Sequence, residues 1–541
     1  MSKKNQGRDY YDDDYVSEDD YEPYPVRKPV KKKKRTLGSH FIWLLLFIVS
    51  IVFFITFLKQ PMFPKKWSLI LLLILAVILF ITGFFTKHLS NRNRFQKTVN
   101  CILTISLAIG SIALPYYVDK VTDLFNSATN DVVYIDLYAM SDAYKQAHAD
   151  VFQNTIDLPG GKTDMKKYAD AVYGTAISSD QSKQEYALEQ LQKLCDKNVK
   201  TIDSDTLSDE VSNLYNNHTD IMITAHGNDA IIEEMGGYEN FTADTVLLYQ
   251  IPMEIKTDGT VHTDMTDKPF TIFFGGNDEE GSLTLEGRTD VDMMVTVNPN
   301  THQIAIINMP RDSYLPNPAY NGARDKLTHF GLKGIDNTLT GLSDTMDQKI
   351  QNYVIINFTT FKEIINAMGG TLTIDNPYAF TAVDGTTYEE GKIELNADTA
   401  LMYCRERYSL PHGDFDRAAH QQIVMQAIIN KLTSKSVITH FNDLLNRIQG
   451  KFLTNISSDS IYALCQKQLD ENIKWNIVKY HIQGTAGSEI CASAPGQALS
   501  VVYPYTNQID FCKKVMNQVE DGETISQGEL PEGSFEEDDS E

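Results

Sequence analysis

The chain has 541 residues, a formal net charge of −24 and 42% hydrophobic side chains. That length exceeds one ordinary domain, and the acidic balance argues against a general nucleic-acid binder, which needs clustered Lys and Arg to meet phosphate. Six cysteines occur with no CxxC pair, which argues against a zinc ribbon or a thioredoxin-like site.

Residues 1–40 are polar, with an acidic, tyrosine-rich stretch from Tyr10 to Tyr24 and then a basic run from Arg27 to Arg35. They hold too few apolar residues to bury a core, so a disordered tail is expected. Three apolar segments follow at 41–58, 67–85 and 99–118, each about long enough to cross a bilayer as a helix. A leader of this length, followed at once by a second span, does not fit a cleaved signal peptide. The basic run at 31–35 precedes the first span, and Lys87, Arg92, Arg94 and Lys97 lie between the second and third. Positive residues stay on the cytoplasmic side, so the N-terminus is expected inside and everything after residue 118 outside. A re-entrant span would invert that orientation.

From 119 to 255 the pattern alternates between helix and strand. Tyr186, Leu188, Leu191 and Leu194 fall at helical spacing within 178–194, and the short apolar runs at 220–224 and 245–249 read as strands. A small α/β domain is expected. It carries no nucleophile elbow, phosphate loop or metal-ligand spacing, and reads either as an accessory recognition module or as a spacer.

The region 265–515 is more specific. A strand at 271–274 leads into Gly275-Gly276-Asn277-Asp278, and Gly287-Arg288-Thr289-Asp290 precedes a strand at 293–298. The turn Asn298-Pro299-Asn300-Thr301 connects it to a strand at 304–309, which ends in Pro310-Arg311-Asp312. The outer ends of such a hairpin lie side by side, so Asp290 is expected beside Arg311 and Asp312. Lys326-Leu327-Thr328-His329 opens a helix, and another is expected at 359–368. ALMYCRERY at 400–408 reads as a strand, which would put Arg405 and Arg407 on one face. A long helix then runs from Gly413-Asp414-Phe415-Asp416-Arg417 to about Leu432. On it Arg417 and Gln421 share a face that Val424 and Ile428 continue.

Fixed guanidinium groups can bind a diphosphate bidentately, and Mg²⁺ takes one or two carboxylates plus phosphate oxygens. The apolar continuation at Val424 and Ile428 suits a hydrocarbon tail. Each residue also has an ordinary reading: arginines make surface ion pairs, aspartates occupy turns, and apolar residues at that spacing form helix core.

These pieces together resemble the LytR-CpsA-Psr family, and the order of tail, three spans, accessory domain and family domain resembles its capsule-associated branch. The resemblance rests on Arg288-Thr289-Asp290, Pro310-Arg311-Asp312, Asp325-Lys326-Leu327-Thr328-His329, Arg405-Glu406-Arg407-Tyr408 and the stretch from Gly413 to Gln421. It implies an α/β/α sandwich around a mixed sheet, with a hydrophobic tunnel for a polyprenyl chain. It implies Mg²⁺ (or Mn²⁺) on Asp278 and Asp290. It implies a pyrophosphate clamp of Arg288, Arg311, Arg405, Arg407, Arg417 and Gln421, with Asp312 as a candidate general base by proximity. Thr289 stands where Ser is usual, and Ala418-Ala419-His420 where Gly, Arg and Asn are common. The implied activity is phosphotransfer from an undecaprenyl-diphosphate-linked glycopolymer, of capsular polysaccharide or wall teichoic acid type, to peptidoglycan. Two other readings remain. One is a regulator of polymer synthesis, whose cytoplasmic tail contacts a capsule kinase or synthesis machinery; no helix-turn-helix supports DNA binding. The other is a polyprenyl-diphosphate binder or pyrophosphatase without transfer. Cys491 and Cys512 either pair or remain free thiols, and the acidic residues 516–541 are expected to be disordered.

Overall fold

Helices Leu37–Leu58, Lys65–His88 and Arg94–Asn126 lead the chain. Each carries a stretch long and apolar enough to cross a membrane: Gly38–Leu58, Trp67–Lys87 and Arg94–Tyr116. Hydroxyls of Ser50, Thr82 and Thr104 each donate to the carbonyl four residues earlier, at 2.7 Å, which satisfies them within their own helices. The computed structural model describes residues 37–60, 65–88, 94–126, 132–152, 164–176, 181–255, 264–277, 283–434 and 451–535. The first helix starts at Leu37, so 37–40 are helical where a disordered tail is expected from composition; residues 1–36 lie outside the described ones.

The first α/β domain is built on a five-stranded sheet in the order Lys200–Ser204, Val172–Ala176, Ile221–Ala225, Val132–Met140, Thr245–Glu254. The first three strands are mutually parallel, and Val132–Met140 runs antiparallel to both its neighbours. Helix Gln181–Cys195 buries Ala187, Leu191 and Cys195 against one face of this sheet. Helix Leu207–Tyr215, capped by Thr206 through the Asp209 N–H, buries Leu207, Val211 and Leu214 in a separate core.

A six-stranded mixed sheet organises the second domain, in the order Phe452–Thr454, Asn352–Asn357, Phe270–Asn277, Val291–Asn298, Gln303–Asn308, Asn476–His481. The three central strands form an antiparallel meander, flanked on each side by a parallel neighbour. Strand side chains alternate between faces. Phe273, Met294, Ala305 and Ile307 meet helices Ile335–Met346 and Thr506–Glu520 on one face. Phe270, Met293, Val295, Ile304 and Ile306 meet Met425 and Ile429 of the Asp414–Leu432 helix on the other. Coverage on both sides explains why Val291–Asn298 and Gln303–Asn308 are almost wholly buried. This is an α/β/α sandwich. A third cluster joins helices Phe358–Ala367, Ala397–Arg405 and Asp414–Leu432 over the hairpin Thr371–Asn376/Gly391–Asn396.

The two domains share a core. Tyr138, Val211, Ile231, Ile232 and Met235 of the first pack with Leu332, Cys491, Ala494, Leu499 and Val501 of the second. Cys491 lies in that shared core and Cys512 in the main core, and both thiols are free, so they do not form the pair left open by sequence.

The C-terminal segment departs from expectation. Residues 516–520 complete the Thr506–Glu520 helix, and residues 521–535 pack against the fold. Ile525 is buried and its N–H donates to Gln303 Oε1 at 2.6 Å, while Gln303 Nε2 donates to the Glu523 carbonyl at 2.7 Å. Gln527 bonds both the N–H and the carbonyl of Lys479, which satisfies backbone groups along the sheet edge. Side-chain amides thus fix a segment whose acidic composition suggests disorder; residues 536–541 lie outside the described ones.

Candidate active site

The carboxyl end of Phe270–Asn277 opens a cavity of about 440 Å³. Gly276 lines it, and a Cβ there would come within 3.0 Å of Val291, another lining residue; its neighbour Gly275 is confined by the core instead, where a Cβ would come within 2.5 Å of Ile355 Cδ1. The loop behind is equally tight: a Cβ on Gly331 would come within 2.1 Å of the Gly287 carbonyl oxygen, and Gly287 N–H donates to Gly331 O at 3.1 Å.

The hairpin brings its outer ends together. Asp290 N–H donates to Gly276 O at 2.7 Å, and Met309 N–H donates to Asp292 O at 3.0 Å. Arg311, whose carbonyl accepts from Thr328 N–H at 2.9 Å, directs Nη1 onto the Asp290 carboxylate. Burial would raise the Asp290 pKa, but Arg311, then Arg417 and Arg288, hold it below the usual carboxylate range. Burial works against the Arg311 cation, yet Asp290 and Asp312 outweigh it and push its pKa up. Asp292, two residues on, is pushed up to about 8, first by burial, against a hydrogen bond from Thr289, with the Asp290 charge adding to the rise. Its Oδ2 is buried without a hydrogen-bond partner.

Arg405 and Arg407 reach the same cavity by a route different from the expected strand. Residues Ala397–Arg405 form a helix, started by a capping box between Asn396 and Thr399. It ends at Arg405, and Glu406 then turns the chain: its carboxylate accepts from Arg407 N–H (2.9 Å), Ser409 N–H (3.1 Å) and Val383 N–H (2.8 Å). Glu406 points inward and is buried, which leaves the arginines on either side to face the cavity. Arg405 lies over the Phe358 ring at 4.4 Å and Arg407 over the Tyr408 ring at 4.6 Å.

Arg417 sits in the first turn of the Asp414–Leu432 helix, paired with Asp414 at 2.7 Å, and Gln421 follows one turn later. Both line the cavity, as do Val424, Met425 and Ile428 beyond them. The wall therefore carries two kinds of side chain. Asp290, Arg311, Arg405, Arg407, Arg417 and Gln421 are charged or polar, Phe274, Met293, Ile356, Phe361, Leu401, Val424 and Ile428 are apolar, and along the Asp414–Leu432 helix the polar positions come first.

Two expected residues, Arg288 and Asp312, are not in that wall, and a third is not described. Asp278 lies outside the described residues. Arg288 is turned to Glu234 of the preceding domain, its Nη2 donating to Oε1 at 2.9 Å. Asp312 is held between Lys326 Nζ at 3.4 Å and Arg311 Nε at 3.7 Å. Sequence reasoning missed Glu406, Asp292 and Glu234. Glu406 sits inside a motif, between two arginines, and Asp292 two residues past another; nothing in the local pattern marks the third.

Residues 245–518, about half of the chain, match the sequence model of the LytR_cpsA_psr family. Among curated proteins, the chain is 30% identical over 230 residues to a polyisoprenyl-teichoic acid–peptidoglycan teichoic acid transferase TagU of Bacillus licheniformis, covering 42% of this chain and 72% of that one. It is 31% identical over 232 residues to the protein of the same name in Bacillus subtilis, covering 42% and 73%. The crystal structure of B. subtilis TagU aligns with 48% of this chain and all of its own, at 26% identity and a TM-score of 0.38.

Proposed function

The chain belongs to the LytR_cpsA_psr family, and from that premise we propose that it is a membrane-anchored transferase that moves a glycopolymer from a polyprenyl diphosphate onto peptidoglycan. The observation that carries this reading is the mixed lining of one cavity: four guanidinium groups and a carboxylate together with aliphatic and aromatic side chains, which along the Asp414–Leu432 helix follow the polar ones. A ligand with a diphosphate head and a hydrocarbon tail matches both kinds of lining. The relatives' name, a polyisoprenyl-teichoic acid–peptidoglycan transferase, supports the same substrate class.

In this reading an acceptor hydroxyl attacks the phosphorus that bears the glycopolymer. A new phosphodiester forms, the diphosphate bridge breaks, polyprenyl monophosphate leaves, and the hydroxyl proton passes to the released phosphate or to solvent. Arg311, Arg405, Arg407 and Arg417 meet the charge on the phosphoryl oxygens, and Gln421 adds a neutral donor. Such catalysis is positioning and electrostatic stabilisation in place of covalent chemistry. Val424, Ile428 and Phe361 take the first isoprene units and exclude water from the bridge. Asp290 offers hard carboxylate oxygens to the cavity, and a hard divalent cation takes such donors, so its oxygen chemistry fits Mg²⁺ or Mn²⁺ with Asp278 as second ligand. When bound, that ion would supply charge neutralisation at the diphosphate. The base role expected for Asp312 has no geometric support, since Asp312 is not among the lining residues and its two oxygens are turned to Lys326 Nζ and Arg311 Nε.

The three spans and the basic run at 31–35 support an N-terminus inside and a catalytic domain outside, where peptidoglycan is. A contact of the tail with capsule kinase or synthesis machinery remains a proposal of the same standing. The test uses the full chain in nanodiscs with Mg²⁺, a polyprenyl-diphosphate saccharide and a peptidoglycan oligomer, read by mass spectrometry. A joined product, absent with Asp290→Ala, is expected. Lipid binding with no product, or released phosphate only, would replace the transferase by a binder or pyrophosphatase.

A further inference from the structure

Glu234 caps the C-terminal end of helix Asn228–Glu233 in the first α/β domain, yet its side chain reaches into the second. Its two carboxylate oxygens hold two different cations. Oε1 accepts from Arg288 Nη2 at 2.9 Å, and Oε2 accepts from Lys326 Nζ. The contacts continue in alternating charge. Lys326 Nζ lies 3.4 Å from Asp312, Asp312 lies 3.7 Å from Arg311 Nε, and Arg311 Nη1 bonds Asp290 in the cavity wall. One unbroken line of ion pairs thus runs from the first domain to the candidate diphosphate site.

Glu234 is held in a firm setting. Ile231 and Ile232, just before it, are buried in the core that the two domains share. Two residues after it, Gly236 N–H donates to Gln497 Oε1 at 2.9 Å, a second tie to the second domain. Lys326 is 3% exposed and Arg288 12%, so both cations are largely withdrawn from water. Withdrawn cations need a fixed counter-charge. Within the described residues Glu234 is the carboxylate that both of them reach.

We infer that Glu234 is a positioning residue of the diphosphate site: it fixes the Arg288 guanidinium and the Lys326 ammonium behind Asp290 and Arg311, so the site is complete only with the first domain in place. This rests on the reading of the cavity as a diphosphate site. The first domain is then neither a spacer nor a separate recognition module, but the source of one charge in the active-site network. Lys326 connects the first domain to the site through this pairing, by way of Asp312 and Arg311, and Glu234 acts through Lys326 without touching substrate.

The test measures binding of undecaprenyl diphosphate to the full chain in nanodiscs, with undecaprenyl monophosphate as a second ligand. Glu234→Ala is expected to weaken diphosphate binding by roughly tenfold, the usual scale for a hydrogen bond to a charged group. Glu234→Gln keeps the volume and one acceptor, and is expected to lose less. In a Lys326→Met background the Glu234→Ala change is expected to cost less than about twofold, because the group it acts through is already gone. A merely structural role would give the same loss in both backgrounds. That additive result, or binding by Glu234→Ala within twofold of the unaltered chain, overturns the inference. If Glu234→Ala fails to fold, Glu234→Gln carries the same comparison. Normal diphosphate binding with no polymer transfer would sink the transferase reading alone. No diphosphate binding by the unaltered chain would sink the reading of the cavity and this inference with it.

Discussion

Two histidines give the fold a pH dependence that can be worked out from their surroundings. His420 lies on the inner side of the Asp414–Leu432 helix, stacked on Tyr403 at 4.1 Å and on Phe380 at 5.1 Å. Its Nε2 is buried without a partner. Burial lowers its pKa from 6.5 to about 4. His481, at the end of the edge strand Asn476–His481, is lowered from 6.5 to about 4 by burial and then by the nearby Arg417 charge. Both pKa values are depressed in the folded chain, so the unfolded chain takes up protons first as pH falls. The stability they allow is fully present above 6.5 and is lost as pH falls through about 4. At pH 5 each imidazole then costs roughly 2 kcal/mol relative to pH 7.5, or about 4 kcal/mol for the pair. The assay is urea unfolding of the full chain in detergent, followed by Trp475 fluorescence. The other two tryptophans, Trp43 and Trp67, lie in the apolar helices, so Trp475 reports on the sandwich. His420→Phe preserves the aromatic stack and removes one titration, and should improve stability at pH 5 relative to pH 7.5 by about 2 kcal/mol over the unaltered chain; Asp292, pushed up to about 8, titrates in the opposite sense in both chains and cancels in that difference. His420→Phe combined with His481→Phe should bring about 4 kcal/mol. An unchanged pH dependence in the double variant would refute the reasoning.

Arg405→Ala and Arg407→Ala are each expected to reduce transfer by about 10- to 100-fold, the scale of a lost charge-assisted hydrogen bond, with initial rates as the readout. Normal rates would remove those residues from the clamp. Glu406→Ala is expected to disturb both arginines at once, giving a larger loss than either alone, together with a lower unfolding midpoint, because three backbone N–H groups lose their acceptor. Ile428→Trp adds bulk to the apolar lining of the cavity; it should weaken binding of a long polyprenyl diphosphate far more than that of a short-chain analogue, measured side by side. Chelation of divalent ions is expected to stop transfer and added Mg²⁺ to restore it, and transfer that persists in chelator would remove the metal from the account.

The parts of this structure that were legible in the sequence are those where local pattern and tertiary setting agree. The hairpin at 291–308 alternates, turns at Asn298-Pro299-Asn300-Thr301 and sets Asp290 against Arg311, all from short-range chemistry. The face shared by Arg417, Gln421, Val424 and Ile428 follows from helical spacing alone. The stretch at 400–408 was misread because CRERY alternates charge as a strand does. The decisive signals were Asn396 with Thr399 at the helix start and a buried Glu406 at its end, and the second draws one of its three partners, Val383, from 23 residues back in the chain. The C-terminal segment was misread because its acidic composition hides Gln303, Asn476 and Lys479, whose contacts hold it. Glu234 was invisible for a deeper reason. Its partners Arg288 and Lys326 are 54 and 92 residues away, and no local rule joins a helix end in one domain to a motif in the next.

The central claim, transfer of a phosphorus-bearing polymer and not its hydrolysis, is tested most directly by the fate of one phosphorus atom. A polyprenyl-diphosphate saccharide labelled with radioactive phosphorus on the sugar side is incubated with the full chain, Mg²⁺ and a peptidoglycan oligomer. The account predicts the label in a phosphodiester on the peptidoglycan product, with unlabelled polyprenyl monophosphate released in equal amount. Label recovered as a saccharide phosphate joined to nothing, as inorganic phosphate, or still on the lipid would contradict it.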